Sequence, residues 1–111
     1  MSRALHVAKT YKVEWDGVGA FNRQDYEFRI LLNELGVAVA SVFDEENYLD
    51  FEVRKEDWKH AIAMLERPTL QRGVKSALSV LGCTKDEALS VFKACLEKAE
   101  PEDEWMHFSF F

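Results

Sequence analysis

Trp105-Met106-His107-Phe108-Ser109-Phe110-Phe111 is the stretch on which the fold turns. Met106, Phe108 and Phe110 alternate with His107 and Ser109, the period of a β-strand whose two faces differ. Trp105 and Phe111 fall on the His107 face. A strand here closes a chain that is helical for the preceding 50 residues.

Working back from it, Pro101 and an acidic cluster (Glu100, Glu102, Asp103, Glu104) separate this strand from a helix ending near Ala99. Thr84-Lys85-Asp86-Glu87 has the capping-box spacing that starts that helix. Ala88, Phe92, Cys95 and Leu96 form its apolar stripe. A second helix, about 70–81, carries Leu70, Val74, Ala77, Leu78 and Leu81. It begins at a Thr69 cap and ends at Gly82, and Gly73 weakens it by about 1 kcal/mol relative to alanine. A third, about 55–66, repeats the i, i+3, i+4, i+7 stripe with Trp58, Ala61, Ile62 and Leu65. Pro68 ends it.

Upstream the period returns to two. Leu49, Phe51 and Val53 alternate with Tyr48, Asp50 and Glu52, a strand with one wet face. Val37 to Phe43 is almost continuously apolar, as in a strand buried on both faces. The polar Asp44-Glu45-Glu46-Asn47 joins the two as a hairpin. Phe28, Leu31, Leu32 and Leu35 mark a helix capped by Asn22 and stopped by Gly36. Residues 5–15 read as one long strand, with Leu5, Val7, Tyr11, Val13 and Trp15 on one face and His6, Thr10, Lys12 and Glu14 on the other.

The resulting order is β-α-β-β-α-α-α-β, an α+β chain read as a single domain over 1–111. It resembles the split βαβ, or ferredoxin-like, plan with its second helix expanded to three. That plan implies a four-stranded, mostly antiparallel sheet. Its first two strands run parallel with room for a third between them. It pairs the first strand antiparallel with the last and leaves the last at an edge. The rival is a bundle of the three late helices beside a smaller sheet.

Composition bounds function. The chain has 111 residues, 14 Lys plus Arg against 20 Asp plus Glu, and a net charge of −6. Phosphate binding leans on basic surface, so nucleic acid is disfavoured as a partner. Acidic residues at Asp50 and Glu52 also argue against a sheet-face RNA binder. Apolar runs are too short to span a bilayer. Cys83 and Cys95 form no Cys-x-x-Cys motif, and residues 1–6 carry no apolar leader, so the expectation is a cytoplasmic chain with two free thiols. Gly17-x-Gly19 lacks the remainder of a phosphate-loop signature and reads as a plain turn. His60 lies off its helix's apolar stripe, beside Asp57. Cys83 lies near a helix start, where the dipole lowers a thiol pKa. No catalytic or cofactor motif stands out, so the reading is non-enzymatic and cofactor-free.

Two features remain as candidate sites. Asp44, Glu45, Glu46 and Asp50 make the hairpin acidic, fit to steer a basic protein partner. Trp105 and Phe111 place large aromatic rings on the wet face of the last strand, where an open edge would pair with a second copy. The leading expectation is an interaction domain that binds a protein partner or itself through these surfaces. The alternative is a small-ligand or metal site on the outer sheet face around His6 and His107.

Overall fold

The computed structural model describes residues 4–10, 14–41 and 50–111. Among them are four helices and five strands in the class expected, α+β. The strands are β1 (Leu5–Thr10), β2 (Glu14–Gly17), β3 (Val39–Ser41), β4 (Asp50–Arg54) and β5 (Trp105–Phe110). The helices are α1 (Asp25–Glu34), α2 (Lys55–Leu65), α3 (Arg72–Leu81) and α4 (Lys85–Lys98).

The sheet order is β2-β1-β5-β4-β3, with every neighbouring pair antiparallel. This corrects the four-stranded ferredoxin-like arrangement. Residues 5–15 do not form one strand: β1 folds back on β2, pairing Ala8 with Trp15 and His6 with Gly17. Lys9 is the reason. It stands at the odd parity of Leu5 and Val7, where a long inward-facing strand would bury its charge. In the hairpin it is exposed and pairs with Glu14 at 3.1 Å instead. The reversal also turns the chain around, so β2 rather than β1 runs in the same sense as β3. Three strands lie between them.

The last strand is central rather than marginal. β5 pairs with β1 on one side (Leu5 with Phe110) and with β4 on the other (Phe51 with Phe108). The pairing continues to Phe111, whose N–H donates to the Ala4 carbonyl at 2.9 Å and whose carbonyl accepts from Ala4 at 2.9 Å. β5 therefore has no open edge for a second copy. Conversely, β3 is an edge strand, with Ala40 and the preceding Ala38 exposed, not one buried on both faces. The hairpin turn Asp44–Asn47, with Tyr48 and Leu49, lies outside the described residues.

The helices pack on one side of the sheet, α1 with α3 and α2 with α4. Their stripes are those read from the periodicity: Phe28, Leu31 and Leu32; Trp58, Ala61, Ile62 and Leu65; Val74, Ala77, Leu78 and Leu81; Ala88, Phe92 and Cys95. They meet Leu5, Val7, Phe51, Val53, Met106, Phe108 and Phe110 from the sheet. Trp58 lies at the junction, stacked on Phe92 at 4.4 Å and against Phe108 at 4.8 Å. Thr84 and Glu87 form the reciprocal capping box. Two helix starts differ from expectation. Gln24, not Asn22, precedes α1, because Phe21 and Arg23 both take left-handed φ (60° and 62°) in the loop before it. Gln71, not Thr69, precedes α3. Gly73 marks where α3 approaches α1: an added Cβ would meet the Glu34 carboxylate. No described helix is long and apolar enough to cross a membrane.

Candidate functional site

With the helices on one face, the alternate residues of each strand form the other. Register places them in two rows. Gly17, His6, Ser109 and Asp50 lie across β2, β1, β5 and β4. In the next row Trp15 pairs with Ala8, and His107 pairs with Glu52, which pairs in turn with Ala40. Arg54 and Trp105 face each other at the far end. The outer face is thus polar at its centre and aromatic at both ends.

The polar centre is sequestered. His107 is 3% exposed and Ser109 is 6% exposed. The Ser109 hydroxyl donates to Asp50 Oδ1. His107 sits between two carboxylates: Nε2 is 2.8 Å from Asp103 Oδ2, and Nδ1 is 3.3 Å from Glu52 Oε1. Asp103 Oδ1 accepts the Trp105 N–H at 2.9 Å. Burial raises the Asp103 carboxyl, but the Trp105 amide, the His107 ring and the charge of Lys55 more than cancel it. The carboxyl ends below its ordinary range.

At one end, the Phe111 ring stacks on His6 at 3.7 Å, nearly parallel at 6°. Trp15 meets it edge-on at 5.9 Å. His6 is anchored by its Nδ1–H, which donates to the Ala4 carbonyl at 2.9 Å. Phe111 stays 56% exposed on this base. At the other end the Arg54 guanidinium lies 4.7 Å over Trp105. Beyond Trp105 opens a groove of about 580 Å³ lined by Glu100, Glu102, Asp103 and Glu104.

The structure therefore joins His6 to Phe111 and separates Phe111 from Trp105. Those two rings stand six residues apart on one strand, about 20 Å at about 3.4 Å per residue. Asp50 belongs to the polar centre, while Asp44, Glu45 and Glu46 lie outside the described residues. His6 and His107 share the face but only as diagonal neighbours, since His6 stands opposite Ser109. Among the described residues, no three His, Cys, Asp or Glu side chains group to hold a metal ion. Sequence reasoning placed Glu52 on this face without pairing it with His107, and it missed Trp15, Ser109 and Asp103 as members of the surface. Only the register brings Glu52 to His107. The turn after α4 brings Asp103, so no spacing along the chain encodes the trio.

The other candidates separate clearly. His60 is exposed on α2. Gly19 takes φ 77° in the turn into α1, beside a cleft of about 530 Å³ that also holds Phe21, Gln24, Cys83, Asp86 and Glu87. The Cys83 thiol is raised, first by burial and then by the Glu87 charge, which corrects the expected lowering at a helix start. Cys95 is buried on α4, its thiol pushed up to about 12 by burial. The chain matches no family model, no curated protein and no solved structure.

Proposed function

We propose that this chain is an interaction domain whose outer sheet face docks a protein partner, with Phe111 as the apolar anchor. The observation that carries this reading is an aromatic ring seated on its neighbours yet left exposed. Phe111 is stacked on His6, bordered by Trp15 and bound through its backbone to Ala4, so its ordering costs are met before any encounter. Aromatic anchors of this kind dominate contact energetics. The net charge of −6 and the acidic groove beyond Trp105 favour a partner with basic surface.

Native mass spectrometry of the gently purified protein tests this. The expected result is a complex with a second protein, weakened by salt and lost in Phe111→Ser. A doubled mass would make the partner a second copy, docked face to face rather than through β5. A bare monomer at low salt, or a complex indifferent to Phe111→Ser, would sink the reading. A small mass increment that persists in Phe111→Ser but not in His6→Ala would transfer the face to the small-ligand reading.

A further inference from the structure

The two ends of the sheet are built differently. β2 closes one end with Glu14 and Asp16, and a bulge between Ala8 and Thr10 interrupts its ladder with β1. Lys9 pairs with both acids, at 3.1 and 3.9 Å, and Lys98 reaches Asp16 at 3.9 Å. Charges and bulges are the usual means of keeping an edge from pairing. β3, at the other end, has neither. Val39-Ala40-Ser41 carries no charge, runs in unbroken register against β4 and, among the described residues, pairs with β4 alone.

Helix α1 widens this edge into an uncharged surface. Tyr26, Ile30 and Asn33 follow one another at i, i+4 and i+7, with Tyr26 70% and Ile30 38% exposed. Between that stripe and Val37, Ala38 and Val39 lies a groove of about 490 Å³. Its one charged lining residue, Arg29, lies over the Phe51 ring at 5.4 Å. A net charge of −6 makes copies of this chain repel, so a self-contact has to use a surface without acids. The β3 edge and the α1 stripe provide one.

We propose that the chain pairs with a second copy of itself through β3, edge to edge, joining two five-stranded sheets into one. A two-fold axis normal to the sheet at Ala40 makes the two strands antiparallel and sets Val39 opposite the partner's Ser41. It keeps both helical layers on the same side and brings the two α1 stripes alongside each other, apolar against apolar. Strand meets strand without a charge on either. Glu52, beside Ala40 on β4, comes no nearer to its equivalent than three strand spacings. That is about 14 Å, beyond the screening length of about 8 Å. A foreign strand would need some feature to select it, and Val-Ala-Ser has none. Small size and neutrality suit the strand to itself. The ladder is only three residues long, so the pair is weak, with a Kd between about 1 μM and 1 mM. Phe111 and the outer face stay open in it.

Sedimentation equilibrium from about 10 μM to about 1 mM, with hydrogen exchange of the β3 amides over the same range, tests the pairing. The expected result is a dimer that strengthens with salt, survives Phe111→Ser and slows β3 exchange as concentration rises. Partner docking through Phe111 is weakened by salt, so the two readings fail separately. Ala40→Lys and Ala40→Glu each set like charges opposite one another on the axis and should weaken the dimer about tenfold or more. An equimolar mixture of these two variants should restore it. A monomer throughout the range would overturn the proposal. So would a dimer lost in Phe111→Ser, or one that both Ala40 variants leave intact. β3 amides that slow only when a second protein is added would assign the edge to a foreign strand and overturn it as well. If a variant fails to fold, the concentration dependence of β3 exchange in the wild type decides.

Discussion

Trp58 joins three parts of the molecule through one side chain. Its ring stacks on Phe92 of α4 and meets Phe108 of β5 at a tilt, and its Nε1–H donates to the Phe92 carbonyl at 2.9 Å. Trp58→Phe keeps a stacking ring but removes the donor from a buried site. Chemical denaturation should show a loss of about 1–3 kcal/mol. Trp58→Ala also opens a cavity and should cost about 3–5 kcal/mol. Cys95 gives a pH signature instead. Its folded thiol is raised to about 12, above the ordinary value near about 8.5. The unfolded chain therefore loses this proton first as pH rises. The contribution is whole below about pH 8.5 and declines to about pH 12, at up to about 1.4 kcal/mol per pH unit. The difference between the wild-type and Cys95→Ala stability curves should follow that decline. Thiol labelling of the folded protein should reach the half-buried Cys83 before Cys95.

At the scale of elements, α4 owes its start to Thr84, which accepts from the Glu87 amide at 3.1 Å while its own N–H donates to the Glu87 carboxylate at 3.0 Å. Thr84→Ala should lower stability by about 1 kcal/mol in thermal or chemical denaturation. This box was legible in four consecutive residues, and the three late helices were legible in their stripes. Both signals are local, because a helix places i and i+4 together whatever surrounds it. The strands were legible only as strands. The hairpin at β1 and β2 was hidden because period two runs on through Tyr11 and Val13, and parity does not register a reversal of direction. Lys9 carried the contrary signal. Gly36 and Gly82 marked helix ends correctly, each with φ above 70°. The start of α1 escaped because Phe21 and Arg23 adopt a backbone that their side chains do not advertise.

For the whole molecule, what decides the site is strand order, which pairing between distant residues sets. The outer-face residues were legible as a set that avoids the core: His6, Asp50, Glu52, Trp105, His107 and Phe111 all alternate out of the apolar pattern. Which of them touch was not. Placing β5 at the centre instead of the edge joins His107 to Glu52 and seats Phe111 on His6. It also predicts a pattern of protection. Hydrogen exchange should be slowest at Met106 to Phe110, which are paired on both sides, and faster along β2 and β3 at the edges. Removing residues 105–111 should abolish cooperative unfolding altogether, since the β1–β2 and β3–β4 hairpins share no direct pairing without β5.

That central insertion bears on how the chain reaches its native state. Leu5 pairs with Phe110, and Phe51 with Phe108, across almost the full length of the chain in the first case. Such a topology has a high contact order, so folding should be slow for the chain's size, on the millisecond-to-second scale of sheets dominated by non-local pairing. Until β5 slots in, the inner edges of β1 and β4 stand open together. During that interval the polypeptide offers two unfilled templates of the right spacing to any extended segment nearby, including β5 of another molecule. Domain-swapped dimers formed by refolding at high concentration, and absent after refolding in dilute solution, would be the kinetic trace of a strand that fits between two hairpins.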